Sequence, residues 1–431
     1  MQRFETYSEY KDSGVDWLGS VPAGWEVKRL KYLGNIRYGL GQPPKEKNDG
    51  LRLIRATNVE RGKIVEKGMI FVDPADIPWD RDPELKENDI IVVRSGAYTG
   101  DSAIVPAKYN NAIAGYDMVF TPTNALPQFV AFSFLSQYVL FDQLYLLRMR
   151  AAQPHLNAEE LGETLIFAPP ISVQQAIVDF LEIQTTKIDT AITQKKQMIA
   201  LLKERKQLLI QNAVTKGIDP AAKMKDSGVE WIGEIPEGWQ VKRGKFLFTE
   251  VDERSVDGQE ELLSVSHMTG VTPRSEKKVS MFMAEDYTGS KTCMAGDLIY
   301  NIMWAWMGAL GVANQAGIVS PSYGVYRRND DHTLNTKFIE LLLKSTQYVA
   351  YYNKVSTGLH SSRLRFYSHM FFNMEIAFPP LAEQEDIIQH IETQSAKIDT
   401  SITLQQQQIT KLKEYKSILI DHAVTGKIKV A

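Results

Sequence analysis

Cysteine is almost missing: Cys293 is the single one in 431 residues. No disulfide framework can form, and a reducing compartment, the cytoplasm, is the expected location. Positive charge is not in excess either, since 49 Lys and Arg stand against 52 Asp and Glu for a net charge of −3. Any attraction to nucleic acid must therefore be local. The first ten residues are polar and lack the charged, apolar, small-residue order of a secretory signal. The most apolar stretch, 129–147, contains Gln137, Asp142 and Gln143, so a buried helix is expected there and no membrane partner. No G-x-G-x-x-G follows a strand pattern and no Walker A sequence occurs; Gly39-Leu-Gly41 runs into Gln-Pro-Pro, which cannot open a helix on a phosphate. The lone cysteine and seven scattered histidines show no metal-ligand spacing. Two Pro-Pro pairs are preceded by Ala168 and Phe378 rather than by the Asn or Asp of an amino-methyltransferase loop. Glu84-Leu-Lys86, after Asp73 and Asp76, has a weak nuclease-like outline without the surrounding carboxylates and strand. The expectation is a chain that is not an enzyme and holds no metal or cofactor of its own.

What is present begins with one stretch, 171–213, free of Gly and Pro and preceded by Pro169-Pro170. Ser172 and Gln175 have the spacing of a capping box, which places a helix start there. From Ile188 the positions Ile192, Lys195, Ile199, Leu202, Lys206, Leu209 and Ala213 follow at steps of four and three, the seam of a coiled coil. At 1.5 Å per residue the helix is roughly 60 Å long and needs a partner. The partner is 381–423, behind Pro379-Pro380, with seam residues Ile398, Ile402, Gln405, Ile409, Leu412, Lys416, Leu419 and Ala423. Segments 171–218 and 381–428 share 22 of 48 residues, including KIDT and AVT in one register.

A second repeat leads each half. KDSGVDWLGSVPAGWEVKRLKYL (11–33) returns as KDSGVEWIGEIPEGWQVKRGKFL (225–247), with 15 of 23 positions identical. Its tryptophans, set among turn residues, are expected to anchor a loop onto a core. Its basic run, Lys28, Arg29 and Lys31, with Lys242, Arg243 and Lys245 in the second copy, is either a solvated face or a phosphate contact. Between the repeats lie two divergent regions. The first has strand patterns at 51–59, 89–94, 103–105 and 117–121 before the helix 129–147; the second has 261–267, 297–302, 310–313 and 317–327 before a helix 338–352. The fold class is α+β: two duplicated globular domains, 1–168 and 216–378, separated by a pair of long antiparallel coiled-coil helices, 169–215 and 379–431. A pseudo-two-fold axis should relate the halves and bring the chain ends together. A symmetric register puts Lys206 opposite Gln405, Ile199 opposite Leu412 and Leu202 opposite Ile409.

Candidate binding residues cluster at corresponding places. In the first region Arg94, Ser95, Tyr98 and Thr99 lie on a Gly-containing loop after a strand, and Arg148, Arg150, Gln153 and His155 precede the long helix. In the second, Asn301, Trp304 and Trp306 occupy the comparable loop, with His360, Ser361, Ser362, Arg363 and Arg365 before the helix. Such side chains can bond base edges and phosphates, while loop exposure or core packing is their plainer role.

With this order laid out, the chain resembles the specificity subunits of type I restriction-modification systems. The D-S-G-V-x-W-x-G-x-x-P-x-G-W-x-V-K-R segments and the PP-led helices, with Glu383-Gln384, KIDT and AVT, carry the resemblance. Val173 departs from it where the second copy has Glu383. The resemblance implies that each variable region is a target recognition domain reading one half of a split sequence in double-stranded DNA. The half-sites should differ because the regions do. It further implies that the paired helices space the domains and dock two methyltransferase subunits, with restriction subunits joining the full complex. S-adenosylmethionine, ATP and Mg would belong to those partners. The alternatives are a coiled-coil scaffold or adaptor without DNA specificity, and a methyltransferase with an attached recognition domain.

Overall fold

The structure, a computed structural model, describes residues 4–148, 154–277, 286–358 and 364–430. It divides into two compact units, Met1–Lys196 with Gln406–Ala431, and Gln197–Gln405. Helix and strand are mixed in both, and the division runs through both long helices.

The first unit is built on a four-stranded antiparallel sheet in the order Ser102–Ile104, Ile90–Val92, Met118–Pro122, Gly34–Tyr38. Its central strands are apolar on both faces because both faces are covered. Ile90, Val92, Met118 and Phe120 enter one core with the helices, while Ile91 and Val119 enter another with Ile54 and Leu85. A second sheet pairs Glu46–Ile54 with Ile70–Val72 and, in parallel, Ile113–Ala114. The strand expected over 51–59 ends at Ile54, because Asn58 accepts the Arg55 amide and turns the chain into a short 3-10 helix, Ala56–Asn58. The single helix expected over 129–147 is two, Pro127–Phe134 and a segment from Gln137, bent by 67°. The second segment begins afresh because the Gln137 amide donates to Asp421 (3.1 Å). Among the described residues no single helix is long and apolar enough to cross a membrane.

The second unit has its own four-stranded antiparallel sheet, in the order Phe248–Glu250, Gly324–Arg328, Leu298–Tyr300, Leu310–Val312. The strand expected over 317–327 is split: Gly317–Val319 pairs with Lys291–Cys293, and a turn containing Pro321 precedes Gly324–Arg328. The helix expected over 338–352 is likewise two, Thr336–Leu343 and Thr346–Val355, parted at Lys344 and Ser345. Tyr300, Tyr326, Tyr352, Phe366 and Phe371 form an aromatic core, with the Phe371 ring 4.3 Å from Tyr326 and 5.3 Å from Tyr300. Cys293 is buried in a separate cluster with Leu263, Ile299 and Val319, and desolvation pushes its thiol up to about 11.

Trp25 and Trp239, the second tryptophan of each repeat, are buried as expected of aromatics that anchor turns; Trp17 is exposed. The strands after them, Glu26–Arg29 and Gln240–Arg243, pair antiparallel with Leu165–Ala168 and Glu375–Phe378 respectively. Each of those pairs delivers the chain to a Pro-Pro step and a long helix, Ile171–Lys216 or Leu381–Val424.

The capping box expected at Ser172 and Gln175 is not formed. The Val173 and Gln174 amides donate to the Pro170 carbonyl, so the helix begins two residues earlier, at Ile171, and Gln175 bonds Asp179 instead. The buried Gln174 does the work at the start: its amide donates to Pro169 O (2.8 Å) and its carbonyl accepts the Leu126 amide (2.9 Å). In the second unit Gln384 donates to Pro379 O and Thr333 O and accepts from Asn335. Beside it Glu383 takes the indole N–H of Trp239 at 2.9 Å.

All ten apolar seam residues proposed for the helix pair, Ile188, Ile192, Ile199, Leu202, Leu209, Ile398, Ile402, Ile409, Leu412 and Leu419, are buried or half-buried. In the first unit Lys195 bonds Gln408 and Lys416 bonds Asp189 (2.8 Å), so the helix segments there run antiparallel. The expected register needs correction. In the second unit Lys206 does not stand opposite Gln405; its ammonium chelates Asp399 at 2.7 and 2.9 Å. Asp189 and Asp399 are the aspartates of the two KIDT motifs, and each takes a seam lysine that would otherwise sit unpaired against apolar neighbours. Burial opposes ionisation of Asp189, but Lys416 and Lys63 more than offset it and hold the carboxyl below its ordinary value. Near the chain ends, the Lys429 amide donates to Glu5 O (2.7 Å) and the Tyr10 hydroxyl to Gly426 O (2.9 Å), which ties the two termini together.

Candidate nucleic-acid interface

In the first unit the strand Ile90–Val92 runs into a loop whose shape is fixed by two glycines in the left-handed region, Gly96 (φ 84°) and Gly100 (φ 92°). The loop is stitched to the segment before the long helix: Leu156 donates to Arg94 O (2.8 Å) and Gly96 to Pro154 O (3.3 Å). This brings Arg94, Ser95 and His155 together, although they lie in separate segments of the sequence. The Arg94 guanidinium lies over the Tyr38 ring (4.5 Å) and the Tyr116 ring (4.4 Å), with one Nη donating to His155 Nε2 at 3.2 Å. Tyr38, Tyr116 and Tyr98 are 40%, 46% and 50% exposed, so this stack stands at the surface. Tyr38 and Tyr116 were not legible as site residues, because they flank the sheet far from the loop in sequence. Thr99 belongs to the scaffold instead. It is buried, and its hydroxyl donates to Gly96 O (2.8 Å).

Behind the loop, the buried Asp117 accepts the Arg94 amide on one oxygen while its other oxygen has no partner. Desolvation pushes its carboxyl up to about 6 against the opposing pull of Arg94. A carboxyl whose folded value lies above its unfolded one favours the fold below about pH 4, and that contribution is lost as pH rises through 6. Asp117→Asn keeps the acceptor and removes the titration. Denaturant melts between pH 4 and 7 should therefore show the wild type losing up to about 3 kcal/mol relative to Asp117→Asn. Parallel profiles would show that Asp117 ionises freely.

In the second unit the comparable loop is apolar. Trp304 is exposed and stacks on Trp306 (5.9 Å, 21°), between Met303 and Met307. Asn301 is buried, bonding the Tyr323 hydroxyl and the Met303 amide, and so shapes the loop rather than reaching out of it. Exposed Arg365 lies beside it, since Phe366 donates to Ile302 O (3.0 Å). Arg150, Gln153, His360, Ser361, Ser362 and Arg363 lie outside the described residues, as does the side chain of Arg148.

The basic runs are largely paired. Lys28 meets Glu26 (2.8 Å), Arg29 and Lys31 meet Glu163, and Arg243 approaches Glu375 (3.6 Å), as on a solvated face. The Glu84-Leu-Lys86 outline dissolves as well. Leu85 is fully buried, and Asp73 caps the Ala75 amide and pairs with Lys47.

Residues 22–201 match the family model described as the type I restriction modification DNA specificity domain. Residues 22–201 are thus similar to a type I DNA specificity domain. Over 443 aligned positions it is 22% identical to the type I restriction enzyme MjaVIII specificity subunit of Methanocaldococcus jannaschii, covering 95% of this chain and 94% of that protein. It is 21% identical to the EcoKI specificity subunit of Escherichia coli K12 over 46% of this chain and 44% of that one. Its fold is similar to a chain from a type I restriction-modification system solved for its complex assembly and conformational transition (TM-score 0.64, 17% identity, 95% and 99% covered). It is similar too to the HsdS subunit of Thermoanaerobacter tengcongensis (TM-score 0.53, 18% identity, 95% and 98% covered). The resemblance to type I specificity subunits holds along nearly the whole chain. Both of these curated relatives are specificity subunits of type I restriction enzymes.

Proposed function

We propose that this chain reads a bipartite, asymmetric sequence in double-stranded DNA and docks methyltransferase subunits that act on it. The similarity over 95% of the chain carries the reading, and the unlike loop chemistry of the two units supports the asymmetry. Arg94 among tyrosines suits hydrogen-bonded readout, whereas Trp304 among methionines suits apolar contact with bases. The sequence repeat, with one KIDT aspartate–lysine pair in each unit, supports a duplicated, pseudo-two-fold architecture whose long helices space the half-sites. Half-sites read from one face of the duplex are expected about one helical turn, ~34 Å, apart. Two methyltransferase subunits would bind, and restriction subunits would complete the assembly in the cytoplasm. S-adenosylmethionine, ATP and magnesium would sit in those partners, in keeping with Pro-Pro steps that follow Ala168 and Phe378.

Footprinting with and without the methyltransferase partner tests this. Two protected half-sites of different sequence are expected, with affinity falling steeply as salt rises through local Lys and Arg contacts. No sequence preference even with the partner present would leave the scaffold reading. Methylation by this chain alone would revive the enzyme.

A further inference from the structure

We infer that Arg94 is a specificity-determining residue that reads a guanine; the inference rests on the DNA-reading function proposed above. Three features set this side chain apart from an ordinary surface arginine. Its guanidinium lies over two rings, Tyr38 and Tyr116. Its Nε is buried and has no hydrogen-bond partner, while one Nη is engaged by His155. Among the described residues its guanidinium makes no ion-pair contact: Asp117, which feels its charge, bonds the Arg94 backbone amide instead.

A charge meant only for a phosphate needs no fixed plane, since phosphate oxygens accept from many directions and a mobile lysine serves as well. Contact with two rings, together with the His155 bond, restricts the freedom to turn and leaves the remaining edge of the guanidinium as the place where donors can be presented. The loop bonds to Pro154 and Leu156 fix where that edge stands. A planar pair of donors is matched by two adjacent acceptors in one plane. In the major groove guanine alone presents them, as N7 and O6. The stack also lowers the conformational entropy lost when the contact forms, because the side chain is ordered beforehand. Tyr38, Tyr116 and His155 are positioning residues: they hold the plane and need not touch the base.

The test is selection of bound sequences from a randomised DNA pool by the complex of this chain with its methyltransferase partner. The wild type should select a guanine at one position of one half-site. Arg94→Lys keeps the charge and should relax that position about tenfold to a hundredfold while leaving the other half-site unchanged. Tyr116→Leu should relax the same position less, and Tyr116→Phe should preserve it. Thermal melts of each variant separate loss of reading from loss of fold; an Arg94→Lys protein that melts early is replaced by Arg94→Gln, with the same selected position expected to relax. A uniform loss of affinity across all sequences would make Arg94 a phosphate contact and overturn the inference, as would an unchanged motif. A wild-type complex that selects no sequence would overturn the proposed function itself, and this inference with it.

Discussion

Replacing Gln384 by alanine is expected to cost about 3–4 kcal/mol of stability, although the residue touches no site and carries no charge. Its side chain is fully buried. Its carbonyl accepts the Asn335 amide at 2.8 Å, and its amide donates to Thr333 O and Pro379 O, both at 2.9 Å. Truncation leaves one backbone donor and two acceptors unpaired out of water, and each costs on the order of 1 kcal/mol or more. Gln384→Glu keeps the acceptor but loses both donors and places a carboxyl where ionisation is penalised, so its deficit should shrink as pH falls. Gln174 makes two such bonds in the first unit rather than three, so Gln174→Ala should cost less. Urea melts of the three variants give the ranking. A loss below 1 kcal/mol for Gln384→Ala would mean that water enters and replaces the amide.

Phe371→Ala is expected to be of similar or larger size, about 3–5 kcal/mol. The ring packs against Tyr300, Tyr326 and Phe248 with centroids 5.3, 4.3 and 5.4 Å away, and these rings cannot collapse into the space without leaving their rotamers. Each unit has a core of its own, so hydrogen exchange should show the loss of protection in the strands Gln240–Arg243 and Glu375–Phe378. The strand Glu26–Arg29 in the first unit should keep its protection. Equal loss in both units would show that they unfold as one. Substitution by leucine, which refills part of the volume, should recover part of the stability.

Much of the architecture was legible before any coordinates. Positions spaced by four and three mark a buried stripe whatever the helix packs against, which is why all ten apolar seam residues are shielded. The Pro-Pro steps stop a strand and permit a helix for local steric reasons. The segments of Arg94, Ser95 and His155 stand out because they recur at matching places in the two halves, but their meeting is visible only in the fold. The chemistry of Thr99 and Asn301 suits a DNA contact, yet both are buried and bond within the protein, Thr99 to Gly96 O and Asn301 to the Met303 amide and the Tyr323 hydroxyl. Amino-acid type does not say which way a loop side chain turns.

The sequence by itself determined what repeats and local sterics can encode: two long helices, a strand-rich region before each of them, and no signature of an independent catalyst. Tertiary structure alone decided the rest. It moved the helix start from Ser172 to Pro170, because a buried Gln174 offered better partners than a capping box. It moved Lys206 from Gln405 to Asp399, because an ammonium in an apolar seam takes the carboxylate within reach. It brought the rings of Tyr38 and Tyr116 within 4.5 Å of the Arg94 guanidinium. Pairing between residues distant in the chain depends on register and loop closure, and those are settled only when the sheets and helices have packed.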